Sequence, residues 1–180
     1  MRSAVYKMIP RHKSGDRVYT LFGFTAWNFC NKKNRIMKND GKIKIFLVDD
    51  DVLYLKSLEI EFLQNTDFII ETYATGELCI ENLHHSPDVI ILDYFLDGID
   101  RKAMNGLESL NIINRFNPDI PVVMLSSQDK IDVAINCMHH RAFDYVVKSE
   151  TAFIRLQKII ATIFRYKKME KELNWYMERM

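Results

Sequence analysis

Five short apolar runs alternate with segments of helical periodicity between residues 42 and 165, and this alternation restricts the fold more than any other feature of the sequence. The runs are nearly continuous and rich in β-branched residues, as in strands whose two faces are both buried. Strands that alternate with helices form a parallel sheet covered by helices on both faces. The sequence therefore predicts a doubly wound α/β domain with the strands KIKIFLV (42–48), DFIIETY (67–73), DVIIL (88–92), PVVML (121–125) and AFDYVV (142–147).

Polar residues at the starts of the helical segments predict where the helices begin. Asp51 follows the first strand and is expected to start a helix, and Thr75 is expected to cap a helix that continues through His85. Ser149 is expected to cap a last helix that begins at Thr151.

The N-terminal segment differs from the rest of the chain in charge. Residues 1–36 contain eight Lys/Arg and one acid, whereas residues 37–180 contain 17 Lys/Arg and 23 acids. We predict a basic, disordered tail and linker over 1–41, a folded domain over 42–165 and an extension of the last helix over 166–180. The acidic balance of the folded part argues against direct nucleic-acid binding. Translation that starts at Met37 instead of Met1 remains an alternative.

Cysteine usage and hydropathy indicate the compartment. Cys30, Cys79 and Cys137 are widely separated, which favours reduced thiols over a disulfide framework or a zinc site. No apolar run approaches the roughly 18 residues that a membrane helix requires. We therefore expect a cytoplasmic protein without a membrane span.

Polar side chains follow the predicted strands at the edge where such sheets bind ligands. Asp49 and Asp50 follow the first strand, Asp93 the third, Ser126 the fourth and Lys148 the fifth. Clustered carboxylates repel one another unless a cation lies among them, and oxygen ligands suit Mg²⁺. A hydroxyl and an ammonium are suited to the oxygens of a phosphoryl group. The edge is therefore predicted to bind Mg²⁺ and a phosphoryl group.

The motifs at these strand ends carry a family resemblance. In order, IFLVDDD, VIILDYFLDG…MNG, PVVMLSS and AFDYVVK resemble the receiver domain of bacterial two-component response regulators, over about residues 42–165. The resemblance implies a flavodoxin-like sheet with the strand order 2-1-3-4-5.

The resemblance also implies roles for the residues at this edge. Asp93 corresponds to the phosphoacceptor. The Mg²⁺ ligands would be Asp93, Asp50 directly, Asp49 through water, and the main-chain carbonyl of Phe95.

The switch residues follow in the same way. Ser126 corresponds to the switch hydroxyl, Lys148 to the phosphate-binding lysine and Tyr145 to an aromatic residue that turns inward after phosphorylation. Phe95 and Gln128 occupy the positions that tune dephosphorylation; Phe95 cannot position a water and Gln128 can, so we expect a phosphorylated state of moderate to long lifetime.

The implied function is phosphorelay signalling. Asp93 would accept a phosphoryl group from a phosphohistidine on a sensor histidine kinase or histidine phosphotransfer protein, with Mg²⁺ as cofactor. The phosphate would then switch a surface on the fourth helix, fifth strand and fifth helix that binds a downstream protein of unknown identity. The chain would be no enzyme beyond its own phosphoryl transfer and dephosphorylation.

Several positions depart from the family pattern. Asp97 replaces a frequent Pro, and an insertion over about 97–104 lengthens the path from Asp93 to Gly106. Asp97 and Asp100 are interpreted as part of a solvated acidic loop, with a place at the metal rim as the alternative. Arg141 replaces a helix-ending Gly, at a cost of about 1 kcal/mol, and Ser149 replaces a frequent Pro.

The last helix carries a heptad-like seam beyond the domain. It is formed at alternating steps of three and four residues by Tyr166, Met169, Leu173, Tyr176 and Met180. The seam favours association with a partner or a homodimer through the last helices. A solvated helix end is the alternative.

Other functions remain open. About 15 residues follow the domain, which favours a stand-alone receiver over one with an output domain. A phosphorylation-independent adaptor and a fragment of a longer regulator without its output domain are the alternatives. An aspartate-nucleophile phosphatase would require a second Asp where Phe95 stands.

Overall fold

The computed structural model describes residues 42–96 and 103–180, together with the strand assignments of 20–21 and 24–25. The chain separates into two compact units, Met1–Lys38 and Asn39–Met180. In the first unit Thr20–Leu21 pairs with Phe24–Thr25 in antiparallel orientation. The predicted disorder of the tail otherwise lies outside the described residues.

The second unit contains a five-stranded sheet in which every pair of neighbouring strands is parallel. The strands are β1 Ile43–Val48, β2 Phe68–Tyr73, β3 Val89–Asp93, β4 Val122–Ser126 and β5 Asp144–Val147. Their spatial order is β2-β1-β3-β4-β5, so the predicted strand order is confirmed.

Helices cover both faces of this sheet. They are α1 Val52–Leu63, α2 Gly76–Glu81, α3 Gly106–Phe116, α4 Ile131–His139 and α5 Ala152–Met177. The segment predicted as one helix through His85 is divided instead: α2 ends at Glu81 and a 3₁₀ turn covers Leu83–His85.

Alternate residues of each strand contribute to two separate cores. On β1, Ile45 and Leu47 belong to the core that also contains Phe62 of α1 and Leu156 of α5. Phe46 and Val48 of β1 belong to the core that also contains residues of α2, α3 and α4. Burial of both faces explains why the strands are nearly continuous apolar runs.

Two of the three predicted caps are confirmed. The Asp51 carboxylate accepts hydrogen bonds from the main-chain N–H groups of Leu53 and Tyr54, at 3.0 and 3.1 Å. The Thr75 hydroxyl accepts one from Leu78 at 3.3 Å. The prediction for Ser149 is wrong: its main-chain oxygen accepts from Ala152 at 3.0 Å, and its hydroxyl lies 3.3 Å from that of Thr151.

Arg141 adopts the left-handed conformation expected at the end of α4, with φ of 63°. Its N–H donates to the Met138 carbonyl at 3.0 Å, which closes the last turn of the helix. This conformation is accessible to glycine without steric cost but places the Cβ of any other residue close to the main chain.

Replacing Arg141 with Gly should therefore raise the free energy of unfolding, by up to about 1 kcal/mol. Urea unfolding of both proteins measures the difference. Lys158→Gly is the matched control, because Lys158 is an exposed residue in the interior of α5, where glycine should lower stability by about 1 kcal/mol. Destabilisation by both substitutions would show that backbone strain at Arg141 is unimportant.

Candidate functional site

Three aspartates meet at the carboxyl edge of the sheet. Asp49 directly follows β1 and Asp93 ends the neighbouring β3; the register pairs Val48 with Leu92, so the two acids are level. Asp50 completes the group, and carboxylate oxygens from the three residues lie within 4.8 Å of one another. Asp49 and Asp93 are only 1% and 3% exposed, whereas Asp50 is partly buried.

Lys148 reaches this group from the end of β5. Its Nζ donates a hydrogen bond to Asp93 Oδ2 at 2.9 Å and lies 2.7 Å from Asp49 Oδ2. The Lys148 main-chain N–H donates to the Ser126 carbonyl at 2.7 Å, which fixes the start of the side chain beside β4. One ammonium therefore bridges two buried carboxylates.

The charges of this group are not balanced. Burial raises the pKa of Asp93 to about 6, and the neighbouring charge of Asp49 adds to this effect against the opposing effect of Lys148. Burial likewise raises the pKa of Asp49 in spite of Lys148. Burial alone would lower the pKa of Lys148, but the two carboxylates outweigh it and raise that pKa. The group therefore has more negative charge than one lysine neutralises.

Two buried oxygens at this site lack a hydrogen-bond partner. Asp93 Oδ1 is buried without one, and Asp49 Oδ2 faces Lys148 at ion-pair distance but outside hydrogen-bond geometry. Such atoms are uncommon in folded proteins and require an explanation, such as an ion that binds them. Carboxylate oxygens with excess negative charge are the ligands of hard divalent cations. These residues therefore fit Mg²⁺.

A second connected group consists of Ser126 at the end of β4, Gln128 in the loop that follows, and Tyr145 on β5. The fully buried Ser126 Oγ accepts from the Gln128 N–H at 3.1 Å, and the Gln128 carbonyl accepts from the Tyr145 hydroxyl at 2.5 Å. Arg155 of α5 donates to the Tyr145 carbonyl at 3.2 Å. Tyr145 is 9% exposed, so its ring already lies inward.

The segment after Asp93 is only partly described. Phe95 is partly buried, and its ring contacts that of Tyr94 with centroids 4.9 Å apart. Its role as a main-chain ligand stays a prediction. Asp97 and Asp100 lie outside the described residues, so neither their interpretation as a solvated loop nor the alternative at the metal rim is tested.

Gly106 brings the chain back against Asp93. Its N–H donates to the Tyr94 carbonyl at 3.1 Å, and a Cβ built on it would lie 2.0 Å from the Asp93 carbonyl oxygen. Asn105 and Glu108 form a capping box that starts α3 at this point. The position therefore requires glycine because the main chain of Asp93 occupies the space of a side chain.

Tyr54 is a neighbour of the site that the sequence analysis did not identify. Lys148 Nζ lies 4.7 Å from the centre of its ring, within the range of a cation–π interaction. Burial raises the pKa of Tyr54; Lys148 opposes this effect, and Asp49 and Asp93 add to it. The available signal was an aromatic residue in the first turn of the helix that follows Asp49 and Asp50.

Residues 45–161 match the response regulator receiver domain family, which is more than half of the chain. The chain belongs to this family. Two curated relatives are the protein-glutamate methylesterase/protein-glutamine glutaminase of Clostridium acetobutylicum, 35% identical over 117 residues, and the regulatory protein LuxO of Vibrio cholerae, 30% identical over 100 residues. The matches cover 62% and 55% of this chain but only 32% and 21% of the relatives.

Solved receiver structures have the same fold. The signal receiver domain of a putative LuxO repressor from Vibrio parahaemolyticus is 25% identical with a TM-score of 0.62, over 73% of this chain and 97% of that one. A chain of the CheX–CheY–BeF3–Mg²⁺ complex from Borrelia burgdorferi is 25% identical with a TM-score of 0.59, over 68% and 89%. This chain is thus a receiver domain of two-component signalling.

Among the helices of residues 42–96 and 103–180, none is both long and apolar enough to cross a bilayer.

Because the Cβ at position 106 would meet main-chain atoms, Gly106→Ala should lower the free energy of unfolding by roughly 2–3 kcal/mol, as measured by urea unfolding. Gly76 offers a contrast, since a Cβ there would lie 2.0 Å from the Ser109 hydroxyl, which is a side-chain atom. Ser109→Ala should therefore recover part of the stability lost in Gly76→Ala. A Gly106→Ala protein as stable as wild type would contradict the close approach at Asp93.

Proposed function

We propose that this receiver accepts a phosphoryl group on Asp93 from a phosphohistidine of a sensor histidine kinase or histidine phosphotransfer protein. The observation that carries the proposal is the buried Asp93 carboxylate, which Lys148 holds by one oxygen while the other has no hydrogen-bond partner. A nucleophile that is oriented on one side and unpartnered on the other is suited to bond formation. The receiver proper is proposed to extend over 42–165, which contains the matched residues 45–161.

Asp93 acts as the nucleophile in this proposal. One carboxylate oxygen forms the new P–O bond while the P–N bond to the donor imidazole breaks, and that imidazole keeps the electron pair and takes up a proton. Lys148, already between Asp49 and Asp93, donates to the oxygens of the transferred group. The residues that would hold Mg²⁺, whose charge would offset that of the phosphoryl oxygens, are Asp49, Asp50, Asp93 and the Phe95 main-chain carbonyl.

Dephosphorylation reverses the modification by hydrolysis. Water attacks the phosphorus, the P–O bond to Asp93 breaks, and inorganic phosphate leaves with the carboxylate restored. The Phe95 side chain has no polar atom with which to hold this water, whereas the Gln128 amide has. A phosphorylated state of moderate to long lifetime is therefore proposed.

The switch is proposed to act through Ser126 and Tyr145. A phosphoryl group on Asp93 offers acceptors to the Ser126 hydroxyl, and Gln128 joins that hydroxyl to the ring of Tyr145. Tyr145 lies inward in this structure, and phosphorylation is proposed to stabilise this arrangement over one with the ring outward. The readout is the surface of α4, β5 and α5, where a downstream protein would bind.

Similar proteins support the proposed phosphoryl and metal site. The Borrelia burgdorferi complex, named for BeF3 and Mg²⁺, contains a chain similar to this one, which agrees with a phosphoryl and metal site. The similarity to the methylesterase covers 32% of that protein, and no methylesterase activity is proposed.

We propose a cytoplasmic protein without direct nucleic-acid binding and without reactions on other substrates. A second copy of the chain is proposed as a further partner, through α5.

Intact-mass measurement tests the phosphoacceptor directly. The protein incubated with Mg²⁺ and acetyl phosphate should gain the mass of one phosphoryl group, whereas Asp93→Ala should gain none because it lacks the nucleophile. Asp132→Ala, at an exposed position of α4, is the matched control and should be modified like wild type. Chelation of Mg²⁺ should abolish the reaction. Failure of the folded wild type to gain mass would favour a phosphorylation-independent adaptor.

Substitutions at Tyr54 test the contact with Lys148. Tyr54→Leu should slow phosphorylation by acetyl phosphate by roughly three- to tenfold, because the aromatic face that steadies the ammonium is lost. Tyr54→Phe keeps the face and should react within about twofold of wild type. In wild type, the Tyr54 ring should shift the NMR signal of the Lys148 ε-methylene upfield. This shift should persist in Tyr54→Phe and be lost in Tyr54→Leu. Equal phosphorylation rates for all three proteins would show that the Tyr54 ring does not contribute to the reaction.

A further inference from the structure

The two halves of α5 have different surroundings. In the first half, the side chains that face the sheet are buried: Ala152, Leu156, Ile159, Ile160 and Ile163. In the second half, every residue from 168 to 180 is exposed. Lys167 is the last residue of the helix that is not exposed, and its ammonium donates to the Asp88 carbonyl at 2.9 Å. The helix therefore leaves the domain at a defined residue.

The exposed half is not a polar helix. Tyr166, Met169, Leu173 and Tyr176 are each between 56% and 63% exposed, and they recur at steps of three and four residues. A helical segment as short as this exposed half is only marginally stable in water without tertiary packing. A partner that covers these four residues, which we call the α5 seam, would bury their apolar side chains and stabilise the helix.

The spacing of the seam indicates what this partner is. The seam residues form a stripe at the a and d positions of a heptad, and beside it Met177 at e and Trp175 at c, whose ring lies against Arg179, are also exposed. Such a stripe packs against a stripe of the same spacing on another helix, with side chains inserted between those of the partner. The seam therefore fits a second helix with the same repeat, and α5 of a second copy has that repeat.

Charges beside the seam distinguish two orientations of such a pair. With Tyr166 at position a, Arg165 is at g and Glu170 at e, and in a parallel pair the g residue of one helix faces the following e residue of the other. Arg165 then meets Glu170 of the second copy, and symmetry forms this ion pair twice. Glu172, at the next g, meets the uncharged Met177.

An antiparallel pair that uses the same four seam residues meets unfavourable charges. In that orientation e residues face e residues and g residues face g residues, so Glu170 would face Glu170 and Glu172 would face Glu172. An antiparallel register shifted toward the C-terminus would depend on Arg179 and Met180, which lie beyond the helix end at Met177, and one shifted toward the N-terminus would replace Tyr176 in the seam by the polar Thr162. Charge therefore favours the parallel pair.

We infer that α5 of this chain forms a parallel two-stranded coiled coil with α5 of a second copy, through Tyr166, Met169, Leu173 and Tyr176. The two domains are then joined at the same end of the pair. This association requires no phosphoryl group, so it is independent of the proposed reaction at Asp93.

Sedimentation velocity of the full chain without a phosphodonor tests the inference. Wild type should form a dimer at micromolar concentrations, and the double substitution Met169→Glu, Leu173→Glu should be monomeric because it places repelling charges in the seam. Lys171→Glu, on the opposite side of the same helical turns, is the matched control and should remain dimeric. A monomeric wild type, or a dimeric double variant, would overturn the inference.

Charge exchange tests the orientation. Arg165→Glu and Glu170→Arg should each raise the dimer dissociation constant by roughly two- to fivefold, since each places like charges opposite one another in the parallel pair. The double exchange should return the constant to near the wild-type value. Failure of the double exchange to restore it would overturn the parallel orientation. Because no phosphate is present, these outcomes are separate from the test of Asp93 phosphorylation.

Discussion

The contact of one ammonium with two buried carboxylates is the constraint to which the rest of the domain is adjusted. Lys148 follows β5, Asp49 follows β1 and Asp93 ends β3, so three strands that are not all neighbours must finish at the same level. A shift of any one by two residues would move its side chain by about 7 Å and separate these charges. The apolar layers on both faces of the sheet hold the strands in this register.

The same contact explains why the site is suited to bind a cation. Two acids and one lysine, with Asp50 at the rim, leave an excess of negative charge at this place; burial raises the pKa values of Asp49 and Asp93, and the neighbouring carboxylates add to the effect. A folded protein tolerates such an arrangement when function requires it, since apolar packing would be more stable. The buried charges at this edge therefore lower the stability of the fold, and the two apolar cores compensate for that loss.

Much of this could be predicted from the sequence because the signals are local. Apolar runs give the strands, and polar residues directly after them give the acids and Lys148; the strand order came from the resemblance. The missed features depend on contacts distant in sequence. Tyr54 belongs to the site only because Lys148, 94 positions later, extends over its ring. Ser149 fails as a cap because its main-chain oxygen, and not its hydroxyl, meets α5.

Hydrogen bonds hold the chain on both sides of the insertion, and this affects which changes of sequence the domain can accept. Gly106 is tied to Tyr94, and the Met104 N–H donates to Glu77 at 2.7 Å, so both sides of the insertion are anchored regardless of the number of residues between them. Doubling the length of such a closed segment costs only about 0.6 kcal/mol of chain entropy. Residues can therefore be added to or removed from the insertion at little cost in stability, although it lies next to a site whose own residues must keep their positions. New specificity for binding partners can evolve in the insertion without disturbing that site.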